Sequence, residues 1–236
     1  MTSLSQKMAQ FALDLRFDDI PPDALHEAKR FLLDSVGCAL AAVQNDDMQA
    51  MYRFTEKLGG TPEATVIGNG LRTNASNAAL MNCLLTRALD YNDIYWEQDP
   101  SHPSDIIGTA LAAAEANHKQ GRDAIVAIMI AYELEMRWCH AADPGIREVG
   151  WHHATLTQFV SPLVAGRMYD LDLDQMVAAV GISGSSHFTL GGVVAGHLTN
   201  MKNTADPLAA QAGVIAAKMA REGYEGPVEV LEGKEG

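Results

Sequence analysis

Pro21-Pro22-Asp23-Ala24-Leu25-His26-Glu27-Ala28-Lys29-Arg30-Phe31-Leu32-Leu33-Asp34-Ser35-Val36-Gly37-Cys38-Ala39 is the stretch that decides the fold. A proline suits the first turn of a helix, where its missing N–H would have no partner anyway. Leu25, Ala28, Leu32, Val36 and Ala39 then recur every three or four residues and form one apolar stripe. A half-buried strand would alternate at every second residue, and this run does not.

The same period extends outward in both directions. Ser3-x-x-Gln6 reads as a capping box ahead of an apolar-periodic run to Leu15, and a shorter helix follows Asp46-Asp47. Further helices are predicted from Asn74 to Leu89, from Pro103 past Ala113, and from a cap at Asp123 through Ile128, Ile130 and Leu134. The apolar segment Ala154 to Met168 contains Pro162, which predicts a kink or a start there. Asp172 opens a helix through Val180, and the last helix is expected to follow Pro207 and end at Glu222-Gly223. Ala64 to Gly68, closed by Asn69-Gly70, is the one clear strand-like run. The reading is an all-α class, with one large multi-helix domain over residues 1–226 and an extended, partly apolar tail over 227–236. No fixed-period repeat supports a solenoid.

Composition narrows the function. The 236 residues are 47% hydrophobic and 20% charged, enough to bury a substantial core. With 17 Lys+Arg against 30 Asp+Glu, the formal charge of −13 argues against nucleic acid or an anionic membrane as partner. A small anionic substrate stays compatible, because a few cations in a cleft act locally while distant charges are screened within roughly 8–10 Å. Cys38, Cys83 and Cys139 are scattered through apolar helical stretches without a CxxC, as buried thiols of a reducing compartment would be. The N-terminus carries no apolar signal core, and the expectation is a cytoplasmic protein.

Three segments carry candidate chemistry. In the first, Leu89-Asp90-Tyr91-Asn92-Asp93 is followed by His102-Pro103-Ser104-Asp105. Pro103 at a first helical position places His102 at the cap, where free N–H groups favour an anion. The plainer alternative is a capped loop with solvated acids. The second segment is Gly150-Trp151-His152-His153-Ala154-Thr155, whose paired histidines suit proton transfer or, equally, one packed and one exposed ring. They show no third ligand at a familiar spacing, so no metal is expected. The third is Lys202, the first cation after Arg167, reached through Gly191-Gly192 and Gly196. A lone cation there suits a carboxylate, or is a lysine on a mobile loop.

Taken together, Ala88-Leu89-Asp90-Tyr91-Asn92-Asp93, His102-Pro103-Ser104-Asp105, Val149-Gly150-x-x-His153, Lys202 and Ala220-Arg221-Glu222-Gly223-Tyr224-Glu225-Gly226-Pro227 resemble the MmgE/PrpD family over essentially the whole chain. The Asp90-to-His102 spacing looks most like its 2-methylcitrate dehydratase branch. The resemblance implies a cofactor-independent carbon–oxygen lyase of propionate catabolism that removes water from a tricarboxylic acid, and a homodimer formed through the helical domain. It also admits decarboxylation of cis-aconitate or epimerisation of iminodisuccinate. By this resemblance Asp90 and His102 form the acid/base pair, His153 or His152 moves a proton or binds a carboxylate, and Lys202, Ser104 and Asp93 bind substrate. Ile94 stands where related sequences often carry Thr. The family's second, α+β lid domain would begin where the chain stops, so low activity is expected of these helices alone. A non-catalytic helical module is the reading from another class.

Overall fold

The computed structural model describes residues 2–234. Its helices are α1 (Leu4–Asp14), α2 (Pro22–Ala42), α3 (Asp46–Leu58), α4 (Ala75–Arg87), α5 (Ile107–Ala116), α6 (Gly121–Ala141), α7 (Ala154–Met168), α8 (Leu173–Gly184) and α9 (Met201–Arg221). Two antiparallel hairpins of two-residue strands interrupt them: β1 (Ala64–Thr65) with β2 (Arg72–Thr73), and β3 (Tyr95–Trp96) with β4 (Pro100–Ser101). The all-α class holds.

Every residue of α4 is buried, and α7 exposes little beyond Arg167. These two helices form the centre. α7 lies against α6, α8 and α9, while α4 lies against α2, α5 and α9. Small residues make this density possible. A methyl group on Gly213 of α9 would sit 2.6 Å from Ser161 Cβ and 2.8 Å from Pro162 N on α7. Alanine lines the rest of that seam at Ala205, Ala209, Ala210, Ala212, Ala216, Ala217 and Ala220, so the helix axes come close and their ends converge.

Local signals explain the boundaries. Ser3 and Gln6 form the capping box of α1, and Asp172 and Gln175 form that of α8. Asn74 caps α4 by accepting from Asn77 N at 2.9 Å. Asp123 is the inner partner of a box with Gln120 at the start of α6, rather than the cap itself. Gly223, with φ +85°, follows the end of α9 in the left-handed conformation that glycine takes freely.

Several expectations are corrected. Only the first two residues of the Ala64–Gly68 run are strand, because Gly68 (φ +94°) and Gly70 (φ +71°) turn the chain back onto Arg72–Thr73. α7 begins at Ala154 and continues through Pro162, so the helix does not start at the proline, whose ~3 kcal/mol local cost is borne inside a buried helix. α9 starts at Met201, well before Pro207, so Lys202 belongs to a helix's first turn and not to a loop. A short 3₁₀ turn, Pro103–Ile106, precedes α5, with His102 at its cap position. Residues 228–232 of the tail are wound into turns rather than extended, and Val230 and Leu231 pack on the core beside α8. Glu235 and Gly236 lie outside the described residues.

Candidate active site

The ends of four segments meet at one place: the C-terminus of α4 and its following loop, the His102 turn, the N-terminus of α7, and the N-terminus of α9. The loop comes first. Asp90 has φ +54°, a left-handed value that Asp tolerates through its short polar side chain. Its carboxylate is bonded by both Arg87 Nη1 and Lys202 Nζ. Burial alone would raise the Asp90 pKa, but the bonds from Lys202 and Arg87 outweigh it and hold the carboxyl down to about 2.

Arg87 joins this surface pair to the interior. Its side chain is only 3% exposed, and its Nε lies 3.4 Å from Asp105 Oδ2 in an ion pair too bent for a hydrogen bond. Asp105 is itself fully buried, and Asn92 Nδ2 donates to its other oxygen at 2.9 Å. Burial, then Asp206, raises the Asp105 pKa well above the ordinary carboxylate range. In contrast, contact with His153 holds Asp206 low despite its own burial.

The three histidines are buried together. The rings of His152 and His153 are 3.8 Å apart, and those of His102 and His153 are 5.3 Å apart. His102 Nδ1 contacts the Asp93 carbonyl, which can only accept, so the proton sits on Nδ1 and Nε2 is left as the basic nitrogen. Burial, reinforced by the nearby Arg87 charge, lowers the His102 pKa to about 4, so the ring is neutral near pH 7. His152 Nδ1 accepts from Ala154 N at 3.2 Å and so ties down the start of α7; burial and His153 lower its pKa to about 3. His153 Nε2 lies 3.2 Å from Asp206 Oδ2.

Neighbouring elements hold these rings in place. Trp151 bridges Leu190, His152 N donates to Thr189 O at 2.8 Å, and Gly191 N donates to Gly150 O at 2.8 Å. The glycine-rich segment is thus a clamp on the histidine segment. Behind Asp206 runs a buried chain: the Thr157 hydroxyl lies 3.1 Å from Asp206 Oδ1 and 3.2 Å from Glu135 Oε1, and Ser101 donates to Glu135 Oε1 at 2.6 Å. Burial pushes the Glu135 pKa up to about 8.

The sequence-derived candidates therefore divide. Asp90, His102, His152, His153 and Lys202 are brought together, through Arg87. Asp93 and Ser104 are close by, but their polar atoms are engaged inward. Ser104 Oγ donates to Asp93 Oδ1 and accepts from Asn92 Nδ2 at 2.8 Å, while Tyr132 OH donates to Asp93 Oδ2 at 2.7 Å. Their geometry is that of a loop brace. Ile94 is exposed. The sequence reading missed Arg87, Asp206 and Glu135 as site residues. It also missed a third donor for the paired histidines. His152, His153 and Asp206 present ligand atoms within 4.8 Å of one another, a set that could hold a small metal ion and that no sequence spacing announces.

The sequence that builds this arrangement matches a described family. The family model of the MmgE/PrpD N-terminal domain matches residues 6–236, and the chain belongs to the MmgE/PrpD family. It is 28% identical to a cis-aconitate decarboxylase of Aspergillus terreus over 98% of this chain and 48% of that protein. It is 28% identical to the cis-aconitate decarboxylase-like protein oryM of Aspergillus oryzae over 98% of this chain and 49% of that one. It is also 30% identical to a 2-methylcitrate dehydratase of Cupriavidus necator over 68% of this chain and 35% of that one. The chain thus spans about half the length, or less, of these curated relatives. Among the described residues no helix is long and apolar enough to cross a membrane.

Proposed function

We propose that the chain supplies the proton-handling part of a lyase site that acts, without cofactor or metal, on a tricarboxylic acid of the 2-methylcitrate type. The observation that carries this is the pair of neutral, buried imidazoles, His102 and His152, packed around His153 and next to the Arg87–Asp90–Lys202 charges. Dehydration needs a base to take the proton from a carbon beside a carboxylate. The electrons of that C–H bond form the double bond, and the hydroxyl leaves as water with a proton from an acid. A neutral imidazole can take such a proton near pH 7. Asp90 is less suited, because its carboxylate is already bonded by Arg87 and Lys202 and carries no proton to give. We therefore assign proton abstraction to His102, with His152 and His153 beside it to pass the proton on, and binding of a substrate carboxylate to Lys202.

Decarboxylation of cis-aconitate is the second reading, favoured by the two Aspergillus relatives, which align over 98% of the chain against 68% for the dehydratase. Proton NMR in D2O separates the two. Loss of water from 2-methylcitrate supports the first, release of CO2 from cis-aconitate supports the second, and turnover of neither when the family's second domain is supplied with these helices refutes both. A homodimer through apolar helix faces is part of the proposal. Leu33 and Leu40 on α2 are 74% and 54% exposed, an unusual display of leucine on one helix.

A further inference from the structure

Arg87 is the one guanidinium buried within the site, and two carboxyls share it. Asp105 lies fully buried against Nε, in a place no ligand could take. Asp90 is different in kind. It bonds Nη1 of the same guanidinium, but its side chain is 48% exposed and its second oxygen reaches Lys202. One carboxylate thus bridges two cations at the boundary between the buried cluster and solvent. Its backbone is held at φ +54°, a conformation that side-chain-bearing residues seldom adopt and that persists where the surroundings enforce it. A planar guanidinium beside an ammonium is the donor pair that recognises an incoming carboxylate.

We propose that Arg87 and Lys202 form the subsite for one substrate carboxylate, and that Asp90 fills this subsite in the empty protein until that carboxylate displaces it. The inference rests on the reading above that the substrate is a polycarboxylate. Arg87 thereby gains a binding role, and Asp90 becomes a competitor that sets the threshold for anions. An anion offering a single weak contact fails to dislodge a carboxylate already bonded to both cations. One with several carboxylates makes further contacts that offset the displacement. Once displaced, Asp90 leaves Lys202 free near Arg87, whose charge also acts on the His102 ring. Arg87 keeps Asp105 as its buried neighbour, 3.4 Å from Nε.

The test is calorimetric titration of the chain with tricarballylate, a tricarboxylate without a hydroxyl to lose. A ligand whose site is occupied most of the time binds more weakly by the vacant fraction, so Asp90→Asn and Asp90→Gly are each expected to bind roughly 10- to 100-fold more tightly than wild type. Asparagine and glycine both accept a left-handed φ, so two variants guard against a local folding defect, and far-UV circular dichroism checks each. Adding Lys202→Gln to Asp90→Asn should abolish the gain. Equal or weaker binding by both Asp90 variants overturns the proposal, as does a gain that survives Lys202→Gln or an absence of binding in every form. Turnover of 2-methylcitrate and cis-aconitate is scored separately. Tighter binding with no turnover leaves the subsite standing and removes the reaction, whereas turnover by wild type with unimproved binding in the variants does the reverse.

Discussion

Glu135→Gln should flatten the dependence of stability on pH. Glu135 is fully buried in α6, accepts from Ser101 at 2.6 Å, and has a folded-state pKa of about 8 against an ordinary 4.5. The raised value means that the folded state binds this proton more tightly than the unfolded chain does. Below about pH 4.5 the carboxyl is protonated in both states and costs nothing; above it the unfolded chain ionises freely while the folded one does not, and stability falls until about pH 8. Over that window one such group lowers stability by about 1.4 kcal/mol per pH unit, so roughly 2.5–3 kcal/mol is lost between about pH 5.5 and about pH 7.5. Glutamine imitates the protonated acid: its oxygen still accepts from Ser101 and Thr157, and it has no charge to lose. Urea denaturation of wild type and variant at the two pH values measures the difference. The variant should gain on wild type by that amount as pH rises, other titrating groups cancelling in the comparison. Parallel pH profiles for the two proteins would show that Glu135 ionises normally and would refute the reasoning.

Gly213→Ala, which places a methyl against Ser161 and Pro162, should lower stability by about 1–3 kcal/mol, and calorimetry should show a fall in Tm of about 2–4 °C per kcal/mol. Gly37→Ala, at a helical position in α2 with open space around it, should instead stabilise by about 0.5–1 kcal/mol; the same sign for both would contradict the packing described. His102→Gln should lower kcat by roughly 10²–10⁴ with unchanged circular dichroism if the ring moves a proton. Light scattering at micromolar concentration should give the mass of a dimer, and a monomer there counts against association through α2.

The helices were legible because their signals are local. Ser3 with Gln6, Asp172 with Gln175, and Gly223 act within one turn of chain, and the Leu25-to-Ala39 stripe needs no tertiary partner to be seen. What stayed hidden depends on the surroundings. Pro162 and Pro207 look like helix breakers until the burial around them is known. Glu135 sits in sequence between Glu133 and Arg137, which form an exposed ion pair of their own, and nothing local marks it as the buried one. Asp206, next to Pro207, resembles a helix-start acid, and Arg87 resembles an ordinary basic residue in a last turn. Both acquire their roles from partners on other helices. The β3–β4 hairpin consists of two-residue strands, too short for any alternation to show.

A strongly acidic chain is compatible with the small anion proposed for this site, because of how the helix ends are arranged. The N-termini of α7 and α9 both open at the cluster, His153 and Lys202 lying in or beside their first turns. Each helix N-terminus carries a partial positive charge of about half an electron and several free N–H groups. Arg87 and Lys202 add two full charges at the same place, while much of the acidic excess lies on exposed surfaces where salt screens it within roughly 8–10 Å. Asp105 lies buried against Arg87, and Asp206 against His153, within the same cluster. Replacing such buried ionic groups with packed apolar residues is often neutral or stabilising by about 1–4 kcal/mol. Stability alone therefore does not account for Arg87, Asp105, Asp206, Glu135 and three histidines in one core, and the proton chemistry proposed above would give that concentration of buried ionisable groups a role.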